Sequence, residues 1–211
     1  MKLLYQTHSP YARKVLVAAH EIGLAERLEV IHHETSPLLR NETVFALNPL
    51  GKVPVLIVDE AFVLFDSGVI VDYLDGLHEG PRLIPAQAPR RWRALRLQAI
   101  ALGIADAGIE VRWESERRPA ELRWPALRDG HLRKIAAACD FLERAFAAEE
   151  ADAAHAPDIG EIAVATALSW IEFREVYAFR SDRPRLAAWY DRFAERPSMR
   201  ATTLSGATQD G

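Results

Sequence analysis

The hydrophobic positions of the first 33 residues switch between a strand pattern and a helix pattern. Residues 2–6, "KLLYQ", predict a short strand, and residues 10–22 carry apolar side chains at helical intervals. Gly23 follows this predicted helix at the position where a glycine commonly ends one. Residues 28–33, "LEVIHH", predict a second strand.

The pattern continues with a hairpin and a further helix. "LLRNETVFALNPLG" predicts a loop with a weak helix that ends before Pro49, and "VPVLIV" and "AFVLF" flank Asp59 and Glu60 as an antiparallel pair would. "SGVIVDYLDGLH" predicts a helix with Ser67 as its N-cap. The order strand, helix, strand, helix, strand, strand, helix predicts an α+β unit, a mixed sheet covered by helices.

The second half of the chain has only helical periodicity. The stretch "EGPRLIPAQAPRRW" contains four glycine and proline residues that interrupt regular structure: Gly80, Pro81, Pro85 and Pro89. Helices are predicted over 91–113, 127–148, 159–177 and 184–196. We therefore predict a first domain over 1–78, a linker over 79–86 and an all-helical second domain over 87–211.

Two positions in this half have structural interpretations. Asp158 and Glu161 stand at capping-box spacing at the start of the third helix, where Pro157 and Ile162 are placed to form a hydrophobic staple. Cys139 is the only cysteine and lies among alanines at helical spacing, so a buried structural thiol is expected and disulfides are excluded.

Composition narrows the class of protein. Hydrophobic residues make up 49% of the chain and charged residues 27%, which is typical of a globular protein. The net charge of −4 argues against a nucleic-acid partner, and the arginine-rich stretch 90–96 is interpreted as a solvated helix face. The N-terminus lacks the apolar run of a signal peptide and no stretch is long enough to span a membrane, so a cytoplasmic protein is expected.

The usual cofactor motifs are missing from the sequence. His32 and His33 are neighbours in a predicted strand and therefore point to opposite faces, and neither CxxC nor HExxH occurs. Neither GxGxxG nor a Walker sequence occurs either. We predict no metal and no nucleotide.

The remaining candidate is Ser9, which precedes Pro10 at the start of the first helix. A serine here is ordinarily an N-cap. The unpaired N–H groups of a helix N-terminus also favour an anion, which the hydroxyl of Ser9 could help to bind. The residues themselves leave both interpretations open.

Three motifs in order resemble the glutathione transferase family: "SPYARKV" at 9–15, "NPLGKVPVL" at 48–56 and "FDSGVIVDYL" at 65–74. The resemblance extends over nearly the whole chain. It implies a thioredoxin-like first domain that binds glutathione and a helical second domain that lines the cleft for a hydrophobic substrate. It also implies a homodimer, and it identifies Ser9 with the residue whose hydroxyl donates to the sulfur of glutathione.

The resemblance further implies the residues that hold the tripeptide. Val53 matches the residue whose backbone pairs with the cysteinyl part, next to a cis bond at Pro54. Asp66 matches the acid that binds the γ-glutamyl ammonium, with one methylene fewer than the common Glu, and Ser67 matches the residue that binds the γ-glutamyl carboxylate. Lys52 either neutralises the glycyl carboxylate or is a solvated lysine.

The second substrate is less well defined by the sequence. Tyr11, Trp113 and Trp124 are either walls of its pocket or core residues. The charged side chains of "ESERRP" at 114–119 either form surface ion pairs or favour an acidic electrophile. The expected reaction is conjugation of glutathione to an electrophile, with a non-catalytic binding protein and an isomerase or lyase as alternatives. Disulfide reductases of this fold carry a cysteine where this chain has Ser9, which argues against that activity.

Overall fold

Four strands form one mixed sheet in the computed structural model, which describes residues 1–146 and 156–208. The strands are β1 (Lys2–Tyr5), β2 (Glu29–His32), β3 (Val55–Ile57) and β4 (Val63–Leu64), in the spatial order β2-β1-β3-β4. β1 pairs parallel with β2 and antiparallel with β3, and β3 pairs antiparallel with β4. The predicted mixed sheet is confirmed. The β3–β4 turn is longer than the predicted Asp59–Glu60 pair, because the N–H of Val58 donates to the carbonyl of Phe62 and three residues lie between them.

Three helices accompany the sheet: α1 (Pro10–Glu21), α2 (Glu42–Leu47) and α3 (Ser67–Asp75). α1 begins at the Ser9 cap, and Gly23 follows it with a φ of 71°, a conformation that suits a residue without Cβ. The short helix expected before Pro49 is α2. Together with the sheet, these helices give the thioredoxin-like arrangement that was expected.

The expected N-cap of α3 was wrong by one residue. Asp66 is the cap, and its Oδ1 accepts hydrogen bonds from the N–H groups of Gly68 at 2.9 Å and Val69 at 3.4 Å. Ser67 is the first helical residue and is buried. Both serine and aspartate are strong N-caps, so residue preference alone does not decide between neighbouring positions.

The rest of the described chain is helical, as predicted: α4 (Ala88–Arg112), α5 (Pro125–Ala145), α6 (Ile159–Phe173), α7 (Pro184–Ala194) and the short α8 (Pro197–Ala201). Pro89, expected to interrupt structure, instead lies in the first turn of α4, where its missing N–H needs no partner. A π-helical turn over Trp113–Arg117 continues α4. Positions 147 and 148 of the predicted second helix lie outside the described residues. The boundaries 1–78, 79–86 and 87–211 stay predictions.

The structural interpretations of the Asp158–Glu161 pair and of Cys139 are confirmed. The carboxylate of Asp158 accepts the N–H of Glu161 at 3.0 Å, and the carboxylate of Glu161 accepts the N–H of Asp158 at 2.9 Å, which completes the capping box of α6. Cys139 is fully buried, and burial raises the pKa of its thiol to about 11. This thiol is therefore protonated and inert at neutral pH.

The segment between α3 and α4 is held by a single buried carboxylate. One oxygen of Asp75 accepts the N–H of Leu83 at 2.8 Å, and the other accepts the N–H of Ile84 at 3.1 Å. His78 also contacts this carboxylate at 3.0 Å. Two backbone donors in a stretch without regular structure are satisfied in this way.

Lys14, on α1, is a buried amine that sequence analysis did not single out. It is 1% exposed, and burial lowers its pKa to about 8, although the charge of Asp66 acts in the opposite direction. Its Nζ donates to Oε1 of Gln98 at 3.3 Å. Because the pKa in the folded state lies below the ordinary value, the unfolded chain binds the extra proton between the two values, and stability rises with pH through that window.

We expect Lys14→Met to stabilise the fold at neutral pH by up to about 3 kcal/mol, because it removes a buried charge. Above about pH 10.5 the lysine is neutral in both states, so the gain should largely disappear. Urea unfolding at both pH values measures this, with Lys134→Met, an exposed lysine, as the control. An equal gain at both pH values would contradict the assignment.

Candidate functional site

A cavity of about 950 Å³ lies between the β1–α1 junction and the helical half of the chain. Residues 8–11 form one wall, and the segment 50–53 after α2 contributes another. The helical side is formed by α4 with the turn that follows it, by α5 and by Trp170. Of the residues predicted to be functional, five line this cavity: Ser9, Tyr11, Lys52, Val53 and Trp113.

Ser9 occupies the point where the first strand gives way to α1. Its Oγ accepts the N–H of Ala12 at 3.2 Å, so it is the N-cap of the helix. Within the described residues, its own hydroxyl proton is donated to no acceptor. The side chain is buried yet lines the cavity. The capping role and a donor directed at a bound anion are therefore compatible at this position.

Tyr11 lines the cavity, but its hydroxyl is already engaged. It donates to a carboxylate oxygen of Asp106, on α4. Burial, the hydrogen bond to Asp106 and the negative charges of Asp106 and Asp66 all raise the pKa of this phenol. Tyr11 therefore stays protonated and contributes a wall to the cavity.

The loop that carries Lys52 and Val53 is fixed by hydrogen bonds to its backbone. Thr35 donates its hydroxyl to the carbonyl of Gly51 at 3.0 Å, and Asn48 donates to the carbonyl of Lys52 at 2.9 Å. Lys52 is exposed, whereas Val53 is buried. The Val53–Pro54 peptide bond is cis.

Asp66 and Ser67, the residues predicted to bind the γ-glutamyl end of glutathione, do not line the cavity. Pro54 does not line it either. Asp66 is exposed, and its Oδ1 is used for the α3 cap while its Oδ2 makes no hydrogen bond within the described part of the chain. Its charge nevertheless raises the pKa of Tyr11.

Of the two tryptophans considered as walls of the substrate pocket, one lines the cavity and the other does not. Trp113 lines the cavity, and the guanidinium of Arg117 stacks on its ring at 4.0 Å. Trp124 is 63% exposed and does not line the cavity. Part of the 114–119 segment forms ion pairs, since Arg118 contacts the carboxylate of Glu114 at 2.9 Å.

His8, the residue before Ser9, also lines the cavity. It is buried, its Nδ1 has no hydrogen-bond partner among the described residues, and its Nε2 lies 3.8 Å from the carboxylate of Glu34. Burial lowers its pKa more than Glu34 raises it, and the charges of Arg174 and Arg112 lower it further. The imidazole is therefore neutral at neutral pH.

Comparison with known proteins decides the family. Residues 8–77 match the family model of the glutathione S-transferase N-terminal domain, and residues 125–192 match that of the C-terminal domain. The uncharacterized GST-like protein YibF of Escherichia coli is 30% identical over 203 residues, which cover 96% of this chain and 98% of that protein. This chain is a member of the glutathione S-transferase family.

Solved structures of this family include close structural relatives of the chain. A glutathione transferase family member from Pseudomonas fluorescens, crystallised with bound glutathione, is 40% identical with a TM-score of 0.89, over 97% of this chain and 99% of that one. A structure of a family member from the same organism holds S-(propanoic acid)-glutathione, with 40% identity, a TM-score of 0.84 and coverage of 98% of this chain and 100% of that one. The thioredoxin-like and helical fold of the transferases is therefore present here.

Two further observations concern the described residues as a set. None of their helices is both long and apolar enough to cross a membrane. No three His, Cys, Asp or Glu side chains among them are grouped as metal ligands would be.

Proposed function

We propose that this protein binds glutathione, stabilises its thiolate with the hydroxyl of Ser9 and conjugates it to a small electrophile. The observation that carries the proposal is the geometry of Ser9. Its oxygen is fixed by the α1 backbone, its proton has no acceptor within the described residues, and it lines a cavity large enough for a tripeptide and a second molecule.

The energy required of Ser9 is modest. A free thiol with a pKa of about 8.5 is only a few per cent ionised at neutral pH, and lowering that pKa by about two units requires roughly 2.7 kcal/mol. A hydrogen bond to a charged group contributes about 1.5–3 kcal/mol, and a helix N-terminus adds about 0.3–1 kcal/mol. The two effects together are sufficient without a general base.

The tripeptide would be held at both ends. Lys52 lines the cavity and would neutralise the glycyl carboxylate, while the backbone of Val53 would pair with the cysteinyl unit. At the other end, the uncommitted Oδ2 of Asp66 would bind the ammonium, and Ser67 with the start of α3 would bind the γ-glutamyl carboxylate. The capping bond to Oδ1 would hold the shorter acid in place for this contact.

The relatives support this assignment. A 40% identical family member binds glutathione, and a structure from the same organism holds S-(propanoic acid)-glutathione, a thioether of glutathione. Such a thioether is the type of molecule that conjugation to an electrophile produces. The homodimer stays a prediction.

Calorimetry with glutathione, followed by turnover assays on haloaromatic, enone and alkyl-halide electrophiles, tests the proposal. We expect saturable binding and at least one conjugation well above the uncatalysed rate, with the thioether identified by mass spectrometry. Binding without turnover on any class would favour the non-catalytic alternative. A rearranged or cleaved product that retains no glutathione would favour an isomerase or lyase.

A further inference from the structure

Two arginines from different helices share a contact with Thr208, a residue that lines one end of the cavity; Arg112 also lines the cavity, whereas Arg174 lies behind Thr208. Arg112 lies at the end of α4, and Arg174 directly follows α6. Nη1 of Arg112 donates to the hydroxyl oxygen of Thr208 at 3.2 Å, and Nη2 of Arg174 contacts the same oxygen at 3.4 Å. Arg112 and Thr208 both line the cavity. We call Arg112, Arg174 and Thr208 the arginine pair site.

The segment that carries Thr208 is tied to the β1–α1 junction. The N–H of Ser205 donates to the carbonyl of Thr7 at 3.2 Å, and the hydroxyl of Thr7 donates to the carbonyl of Ser205 at 2.8 Å. Leu204 is buried beside these bonds. The arginine pair site is thus assembled against the loop that presents Ser9.

Carboxylates among the described residues balance only part of the positive charge of the two arginines. Arg112 is 13% exposed and pairs with Glu116 at 3.1 Å, but Glu116 is 55% exposed. Arg174 forms no ion pair within the described ranges, and its buried Nε has no hydrogen-bond partner there. Glu34, another carboxylate whose charge acts on Arg174, accepts a hydrogen bond from Gln6 and contacts His32 at 2.8 Å.

The electrostatics agree with this geometry. Burial and the neighbouring charge of Arg112 lower the pKa of Arg174 to about 10. The charges of Glu116 and Glu34 act in the opposite direction but do not reverse this shift. The buried Nε of Arg174, which lacks a partner among the described residues, costs free energy that a bound anion would recover.

The charges of both arginines also reach His8, the residue before Ser9. Because Arg112 and Thr208 line the same cavity as Ser9, an anion at the site would share that cavity with the sulfur that Ser9 is proposed to hold.

We infer that the arginine pair site binds a carboxylate on the second substrate, so that the preferred electrophiles are organic acids. The inference rests on the proposed function, because it places the electrophile beside bound glutathione. Arg117, stacked on Trp113 at the same cavity, adds a further cation and an apolar surface for the body of such a molecule. A planar guanidinium is well suited to a carboxylate because it can donate two parallel hydrogen bonds.

Two isosteric thioethers test this inference by binding alone. S-(2-carboxyethyl)glutathione and S-(2-carbamoylethyl)glutathione differ only by a carboxylate in place of an amide at the far end of the added group. Calorimetry on the wild-type protein should show the acid binding about tenfold or more tightly than the amide, as expected for hydrogen bonds to a charged partner. Equal affinities for the two thioethers would overturn the inference.

Substitutions of the two arginines test whether the arginine pair site causes the preference for the acid over the amide. Arg174→Gln and Arg112→Gln should each bring the acid-to-amide affinity ratio close to one, with the affinity for glutathione itself unchanged. Arg133→Gln is the matched control, since this exposed α5 arginine does not line the cavity and its replacement removes the same charge. Thermal unfolding of each variant verifies that the fold is intact. If a variant fails to fold, the acid-to-amide affinity ratio of the wild-type protein alone tests the inference.

Two other outcomes separate this inference from the proposed function. If the arginine variants weaken glutathione binding and leave the ratio unchanged, the site serves a carboxylate of glutathione and the inference is wrong. If the acid is preferred but no electrophile is turned over, the carboxylate site stands and the conjugation proposal fails.

Discussion

Replacing Ser9 by Ala is expected to slow conjugation at neutral pH by about 3- to 25-fold. The lost hydrogen bond, about 1.5–3 kcal/mol, corresponds to an increase of about one to two units in the pKa of bound glutathione. The fraction of thiolate at neutral pH falls accordingly. Above the raised pKa the sulfur is ionised in both proteins, so the two rates should converge at high pH.

A pH–rate profile of kcat for both proteins measures this effect. Ser36→Ala is the matched control, because Ser36 lines the same cavity but its oxygen accepts the N–H groups of Leu38 at 3.2 Å and Leu39 at 3.0 Å within a local turn. Its profile should stay close to that of the wild type. A Ser9→Ala rate reduced by the same factor at every pH would indicate a defect in positioning rather than in ionisation.

Replacing Gly160 by Ala is expected to destabilise the fold by about 3 kcal/mol. Gly160 lies in the first turn of α6 where it crosses α4, and an added Cβ would lie 2.5 Å from the carbonyl oxygen of Ala94 and 2.7 Å from the Cβ of Leu97. Neither atom belongs to a flexible side-chain end, so the two helices would have to separate. Thermal unfolding should show a decrease in Tm of about 6–12 °C.

Gly103→Ala is the control for helix propensity. Gly103 lies within α4, and apart from the adjoining backbone of its own helix no atom of the described residues lies within 4 Å of a Cβ added there. The better helix propensity of alanine should leave stability unchanged or raise it by up to about 1 kcal/mol. Similar losses of stability in both variants would show that contact between α4 and α6 is not the cause.

Local sequence patterns predict most of the elements because each pattern reports on its own segment. The alternation before residue 78 and the helical periodicity after it correspond to the sheet and helices observed. The errors lie at element boundaries: the length of the β3–β4 turn, the start of α4 at Pro89 and the N-cap of α3. The predicted N-cap is wrong because two neighbouring residues have similar preferences. Asp66 and Ser67 are both good caps, and only the tertiary position of the backbone makes Asp66 the acceptor.

Contacts between distant residues could not be predicted in the same way. Arg112 and Arg174 are far apart in sequence, and they share Thr208 only because α4, α6 and the following tail converge. The pairing of Tyr11 with Asp106 has the same origin. The burial of Lys14 is similar, since α1 becomes enclosed only when α3, α6 and α8 pack against it and Gln98 of α4 meets the amine.

The ionisation of bound glutathione is the direct test of the proposed role of Ser9. The thiolate absorbs in the ultraviolet, so a difference titration of the complex against pH gives the pKa of the sulfur in the wild type and in Ser9→Ala. We expect a pKa about two units below that of free glutathione in the wild type, and a pKa about one to two units higher than this in Ser9→Ala. An unchanged pKa in the wild-type complex, or the same lowered pKa in both proteins, would contradict this role.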